Sequence, residues 1–379
     1  MDYTTQEFYF KLKKTARYIR LYGVQRTLMK VKGQYHMKKK FAALPAIPSP
    51  LAGGGHVGLI GCGNYAFTTI AYYLQKVRGR VMRAAMDIDV NKAASLCRTF
   101  DLRYYTDNAQ ALIDDPAIDL VFIASNHASH AEYAIRCIRA GKHVHIEKPH
   151  VVSDDQLERL VAAMREHPNV NVYLGFNRPR SQLFTELQGA LQKQSGPLMI
   201  NWFLAGHEIP DDHWYFDEKE GGRVLGNLCH WTDLTLRLVG MENAFPCTIV
   251  PATPAASKSD YVVSLIFADR SCASITFSAK GHTFEGVREV LNVHKGNLLA
   301  NLSDFHSLTI DEIDRKTIRR SLYRDHGHGA NVFNSEKNFK SEAVSYVQAT
   351  ARLFLEIRKA IDSGNQTVLT RAQAVGHAQ

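Results

Sequence analysis

The spacing of hydrophobic and polar positions changes along this chain of 379 residues, and the changes mark its parts. Near the start the step is three and four. Phe8, Leu12, Thr15, Ile19 and Tyr22 share one helical face, with Lys13, Lys14, Arg17 and Arg20 on another. A second short stripe, Val24, Leu28 and Val31, follows Gly23. A glycine costs about 1 kcal/mol inside a helix, so a break is predicted there. Residues 42–55, with three prolines and Gly53-Gly54-Gly55, read as a linker. Short apolar runs then alternate with helical stripes. Strands are predicted over 56–60, 80–86, 119–124, 143–146 and 171–175. Helices are predicted over 66–76, 91–100, 108–113, 130–140 and 154–166, the last opened by a capping box at Ser153-Asp154-Asp155-Gln156. This alternation predicts a doubly wound parallel sheet, which binds ligands beyond the carboxyl ends of its strands.

Further on the period falls to two. Strands are predicted over 198–204, 248–251, 261–267, 273–277 and 287–293, with Asp269-Arg270-Ser271 as a hairpin turn. A final helix over 342–361 carries Val344, Val347, Ala351, Phe354 and Ile361 towards a core. The fold class is therefore α/β plus α+β. An extension and linker occupy 1–52, a first domain 53–178 and a second 179–379, whose last helices are free to pack back on the first.

Composition narrows the function classes. Hydrophobic residues make up 45% and charged residues 22%, enough apolar side chain to bury a core. No apolar run approaches the ~18–20 residues of a membrane span. Lys11, Lys13 and Lys14 interrupt the first apolar residues, so no secretory leader is expected. The six cysteines are dispersed without C-x-x-C and read as reduced thiols of a cytoplasmic protein. The net charge of +9 lies entirely in residues 1–52, where eleven bases meet only Asp2 and Glu7; the remaining 35 bases and 35 acids cancel. The body thus exerts no general pull on a polyanion, and nucleic acid is not an expected partner. The extension is expected to pack on its own domain or on a partner subunit with a solvated basic face. The rival is docking of residues 5–40 on a protein or an anionic membrane, at the inner face of which the protein would then sit.

Candidate chemistry gathers at the ends of the predicted strands. The first strand runs into Gly61-Cys62-Gly63-Asn64-Tyr65-Ala66, a G-x-G-x-x-A followed by a helix. Gly61 permits a tight turn, Gly63 lets the backbone approach a pyrophosphate, and Ala66 keeps helix close to strand. The helix N-terminus offers N–H groups to phosphates. Asp87 ends the second strand 21 residues after Ala66, where an acid would accept from ribose hydroxyls and repel a 2′-phosphate. NAD is favoured over NADP on that ground. Ser125-Asn126-His127-Ala128-Ser129-His130 follows the strand over 119–124, and Glu147-Lys148-Pro149 follows the strand over 143–146.

These three motifs, in this order, resemble the glucose–fructose oxidoreductase, inositol dehydrogenase and MocA family, from about His56 to the C-terminus. The glycine-rich segment Gly221-Gly222-Arg223-Val224-Leu225-Gly226-Asn227-Leu228-Cys229-His230 resembles that family's start of the helix bearing its catalytic histidine. Asn177-Arg178-Pro179-Arg180-Ser181 and Asp212-His213-Trp214 are similar to the second half of bi-domain oxidoreductases associated with bacterial polysaccharide synthesis. The resemblance implies a second domain on a large, mostly antiparallel sheet, whose open face makes a homodimer or homotetramer. It implies hydride transfer between nicotinamide and a carbon of a sugar or nucleotide sugar. Lys148 would be the base and His230 a proton relay. Ser125, Asn126, His130, Glu147 and Lys148 would lie along the cofactor, and Asn177, Arg178, His213 and Asn227 would touch substrate. A cis bond before Pro149 would turn Lys148 inward. The plainer alternatives are a solvated lysine and half-buried helix histidines. Gly226 stands where many members carry an aspartate, and Asn227 beside it cannot serve as a base. That departure leaves open a weakly active sensor or scaffold with the same fold. Asp325-His326-Gly327-His328 lacks further ligands, so no metal is expected.

Overall fold

The computed structural model describes residues 3–46, 54–210, 212–252, 259–279, 284–337 and 341–376. Residues 47–53 of the expected linker, and the expected boundary at 52/53, lie outside the described residues. Two helices open the chain, α1 (Phe8–Tyr22) and α2 (Val24–His36), with Gly23 at φ +80° between them. The break is where the sequence put it. The apolar stripe is not the seat, however. Val24 and Leu28 are exposed, as are Phe8 and Leu12, and α2 buries Arg26, Thr27, Gly33 and His36 instead.

The parallel strands β1 (Val57–Ile60), β2 (Met82–Met86), β3 (Tyr104–Thr106), β4 (Leu120–Ile123), β5 (His143–Ile146) and β6 (Val172–Leu174) form one sheet in the order β3-β2-β1-β4-β5-β6. Strands β1 and β4 are buried at every position. A continuous apolar run, rather than an alternating one, is what a sheet covered on both faces requires. Between strands lie a wide π-turn (Ala66–Ala71) that runs on into α3 (Tyr72–Arg78), then α4 (Val90–Phe100), α5 (Ala109–Ile113), α6 (His127–Arg139) and α7 (Asp154–Glu166). Helix α6 begins three residues earlier than its apolar stripe suggested, because Asn126 takes the extended N-cap conformation (φ −74°, ψ 157°) immediately after the strand end. Strand β3, three residues long, was not expected.

Further along come α8 (Gln182–Leu191), β7 (Leu198–Ala205), a second π-turn (Val224–Leu228) leading into α9 (Cys229–Val239), β8 (Cys247–Pro251), β9 (Asp260–Ile266), β10 (Cys272–Ser278), β11 (Arg288–Lys295), β12 (Leu298–Ser303), β13 (Ser307–Glu312) and β14 (Arg315–Arg320). Then follow α10 (His328–Lys337), α11 (Val344–Ser363), β15 (Thr367–Leu369) and α12 (Arg371–Val375). The nine strands order as β14-β13-β12-β11-β7-β10-β9-β8-β15, antiparallel except where β10 lies parallel to β7. The period of two is visible in the burial. Leu198, Ile200, Trp202 and Leu204 are buried, and Met199 and Phe203 on the other face are exposed. Trp202 donates from Nε1 to Thr235 Oγ1 of α9 (3.1 Å), which ties the covered face to its helix. The expected turn at Asp269-Arg270-Ser271 is present, with Arg270 at φ +71°.

The chain divides into two compact units. The first comprises Met1–Val151, Asp155–Gly175 and His328–Val344; the second comprises Val152–Asp154, Phe176–Gly327 and Ser345–Gln379. The extension therefore belongs to the body of the first unit, and of the last helices α10 belongs there too. In that unit Ser335 on α10 lies 2.7 Å from His145 Nδ1.

Candidate cofactor site and catalytic residues

In the first unit the carboxyl ends of β1, β2, β4 and β5 carry the predicted residues. Gly61 leaves β1 at φ +88°, and a Cβ there would lie 2.5 Å from the Ala124 and Ser125 backbone. Only glycine lets the chain turn this close to the end of β4. A Cβ on Gly63 would meet nothing within 4 Å, so the backbone there faces open space. The Asp87 carboxylate closes the arrangement. One oxygen accepts from the Cys62 N–H (2.7 Å), the other from the Asp89 N–H (2.8 Å). The thiol of Cys62 turns inward towards the Met86 carbonyl, and burial pushes its pKa well up. Asn64 and Tyr65 begin the helix; the Tyr65 hydroxyl lies 3.2 Å from His328 Nδ1. Ala66 is fully buried under the loop. A bare glycine loop, open space before it and an acid fastened beside it fit the pyrophosphate and ribose of a dinucleotide.

His130 links the other two motifs. Its Nδ1 lies 2.8 Å from the Pro149 carbonyl and its Nε2 3.1 Å from the Ser125 carbonyl. The ring therefore spans the loops at the ends of β4 and β5. Burial lowers its pKa, against the pull of those two carbonyls. Ser129 donates from Oγ to Asn126 Oδ1 (2.6 Å) and lies 2.7 Å from Ser125 Oγ, which fixes the β4 loop further. Glu147 is buried, with Oε1 3.2 Å from His145 Nε2. The Lys148–Pro149 bond is cis, and Lys148 itself is half-buried. Among the described residues no cluster of His, Cys, Asp and Glu is arranged to hold a metal.

The second unit holds the remaining candidates. His230 is buried at the start of α9, against the rings of Phe176 and Trp231. Asn227, three residues earlier in the π-turn, accepts from Arg223 through Oδ1 (3.0 Å). Wide turns of this kind recur at functional sites. His213 is exposed and accepts the Tyr215 N–H at the start of a short 3-10 turn. Asn177 and Arg178 are committed elsewhere. Asn177 donates to the His326 carbonyl (2.6 Å), and Arg178 makes a two-pronged pair with Glu289 (2.6 and 2.9 Å). Trp231 Nε1 donates to the same carboxylate (2.8 Å), and His326 Nε2 lies 3.2 Å away. Burial alone would raise the Glu289 carboxyl, but Arg178 and His326 outweigh it and hold it at about 2. Arg178 is thus the counter-ion of a buried acid. Glu289 was missed in the sequence because its partner Arg178 lies 111 residues away and a charged residue is an unusual choice for the buried face that it shares with Leu291 and Val293.

Residues 56–176 match the family described as an oxidoreductase family with an NAD-binding Rossmann fold. An inositol 2-dehydrogenase of Pseudomonas syringae pv. syringae is 34% identical over 149 residues, 38% of this chain and 44% of that protein. Inositol 2-dehydrogenase 2 of Saccharopolyspora erythraea is 27% identical over 207 residues, 54% of this chain and 60% of that protein. The chain thus spans less than two thirds of these relatives' length. Among solved structures, a levoglucosan dehydrogenase in complex with NADH and levoglucosan superposes with a TM-score of 0.70 at 18% identity, over 83% of this chain and 99% of that one. That likeness extends the shared fold into the antiparallel sheet. Residues 56–176 thus carry the NAD-binding Rossmann fold of the glucose–fructose oxidoreductase, inositol dehydrogenase and MocA family of oxidoreductases.

Proposed function

We propose that this chain moves a hydride between NAD and a hydroxyl-bearing carbon of a sugar or nucleotide sugar. The observation that carries the reading is the Asp87 carboxylate fastened to the N–H of Cys62 in a glycine loop that opens onto free space at Gly63. The acid favours NAD, because a 2′-phosphate would meet its charge. NAD supplies the hydride acceptor when bound. The residues of this chain manage the proton. When the alcohol becomes a ketone its O–H proton must leave, and Lys148 Nζ, at the end of β5, takes it. In the reverse direction the same ammonium polarises the carbonyl oxygen and returns the proton. His230 is assigned as a proton relay, and Asn227 and His213 as substrate contacts. The similarity of the second half to polysaccharide-cluster oxidoreductases supports a nucleotide sugar used in bacterial surface-polysaccharide synthesis.

Two surfaces support the company it keeps. The outer face of the nine-stranded sheet exposes Met199, Phe203, Ile266 and Leu299, which suits a homodimer or homotetramer. The extension exposes Phe8, Tyr9, Leu12 and Leu28 beside Lys13, Arg17 and Arg20, a mixture suited to an anionic membrane surface. Among the described residues no helix is long and apolar enough to cross a membrane.

The test is the absorbance of the nicotinamide at 340 nm when the purified protein and NAD meet a panel of sugars and nucleotide sugars. A rise with one of them establishes hydride transfer and names the substrate class. Lys148→Ala should then lower turnover by about 10²–10⁴-fold while NAD binding persists. NAD binding without any turnover across the panel, and with Lys148→Ala silent, would favour the sensor reading that Gly226 raises.

A further inference from the structure

The basic extension was expected to pack on its own domain or on a partner subunit. Its seat is the phosphate loop. Arg26 of α2 donates to the Thr68 carbonyl and to Thr69 Oγ1 (2.8 Å), both in the π-turn that follows the loop. Gly33 passes so close that a Cβ there would lie 2.2 Å from Thr68 Cγ2 and 2.4 Å from Asn64 Oδ1. His36, at the end of α2, stacks on Phe67 with ring centroids 4.1 Å apart. Its Nε2 lies 2.7 Å from the Cys62 carbonyl and its Nδ1 2.9 Å from Ser95 Oγ. Beyond the helix, Lys40 pairs with Asp89 (2.9 Å) and the Phe41 N–H donates to Asn91 Oδ1 (3.0 Å). Asp89 is the residue whose own N–H donates to Asp87.

These contacts dictate a proton arrangement and a peptide orientation. A carbonyl only accepts, so Nε2 of His36 carries the hydrogen given to Cys62, and Nδ1 accepts from the Ser95 hydroxyl. The neutral ring serves both, and burial lowers the His36 pKa, which keeps it neutral. In a planar trans peptide the C=O and N–H point to opposite sides. Holding the Cys62 carbonyl on the α2 side therefore turns the Gly63 N–H away from α2. Gly63 is the residue whose backbone faces open space in the loop.

We propose that the N-terminal helix pair is a working part of the dinucleotide site, with His36 as the positioning residue that orients the Cys62–Gly63 peptide for the pyrophosphate. The proposal rests on the dinucleotide reading, and its test keeps the two apart. The ligands are ADP-ribose, measured by titration calorimetry, and adenosine, measured by saturation-transfer NMR, on the full chain. The second readout is amide hydrogen exchange, which needs no ligand.

His36→Ala should weaken ADP-ribose by about tenfold and leave adenosine within about twofold, with faster exchange confined to residues 62–64. His36→Gln, whose amide can still donate to Cys62, should recover most of the affinity. A role limited to general stability would instead raise exchange throughout the first unit and leave both affinities of the folded protein alone. That result, or unchanged affinity with unchanged loop exchange, overturns the proposal. If His36→Ala does not fold, Ser95→Ala removes the partner of Nδ1 alone and should show the same pattern at about threefold. Failure of the unaltered chain to bind ADP-ribose would overturn the dinucleotide reading. The exchange measurement would still decide whether His36 holds the loop.

Discussion

The two units solve the placing of a functional residue in opposite ways. In the first, the candidate site is built on main chain and strand ends. Gly61 turns beneath the end of β4, Cys62 offers its N–H to Asp87, and His130 bridges the carbonyls of Ser125 and Pro149. In the second, side-chain charge buried under the sheet does the holding. Glu289 gathers Arg178, Trp231 and His326, while Asp304 receives Arg288 (2.7 Å) and Arg324 (3.1 Å). A site made of backbone tolerates side-chain change and fails when the backbone is forced to move. A site framed by buried ions fails when one partner is removed, because the other is left charged and dry. The variants below separate these modes.

Glu289→Ala should have the largest effect. It strands the Arg178 guanidinium, which is 9% exposed, and removes the acceptor of Trp231 Nε1. Loss of one partner of a buried pair costs about 3–5 kcal/mol. Calorimetric unfolding should show that loss in the second unit, while ADP-ribose binding in the first survives at temperatures where both remain folded. The same acid gives a pH signature. Its folded pKa of about 2 lies below the ordinary value of 4.5. Its contribution is therefore complete above about 4.5 and is lost as the pH falls towards 2. The melting temperature of the unaltered chain should fall across that window. Glu289→Gln, already weakened, should fall less steeply.

Gly61→Ala comes next. The new Cβ meets main-chain atoms at 2.5 Å, and φ +88° is strained for any side chain. Strain of this kind costs about 1–3 kcal/mol before the clash is added. Dinucleotide affinity should disappear, and the second unit's exchange rates should not change. A variant that bound ADP-ribose normally would break the contrast, since the loop would then be as forgiving as a surface turn.

What the sequence disclosed follows the same division. Gly61, Asp87 and Lys148 were legible as strand-end positions because each follows an element whose period announces it, whereas the cis bond at Pro149 was open in the sequence and is seen only in the structure. Helix α2 misled. Its apolar stripe, Val24 and Leu28, faces out, and the buried side is Arg26, Thr27, Gly33 and His36, chosen for a close approach that periodicity does not weigh. Strand β14 escaped notice for a related reason. Its sequence, RKTIRR, is mostly exposed at the sheet edge, where charges keep another strand from pairing. The Arg178–Glu289 pair was hidden by composition itself, since lysine, arginine and glutamate are presumed to be surface residues until a partner is found.

The smallest effect checks that the contrast is not simply one of fragility. Thr370 caps α12 beside the edge strand β15, in the second unit but away from Glu289. Its side chain accepts from the Gln373 N–H, and the Gln373 side chain accepts in return from the Thr370 N–H (2.9 Å). Removing a cap of this sort costs about 1 kcal/mol. Thr370→Ala should therefore raise amide exchange within Arg371–Val375 and leave the acid-dependent melting between about pH 4.5 and 2 as steep as before. A flattened acid profile in Thr370→Ala would show that the second unit loses its buried charges whenever it loosens anywhere. The dependence on Glu289 would then be cooperative unfolding of the whole unit, and the distinction between a backbone-built and a charge-built frame would fall with it.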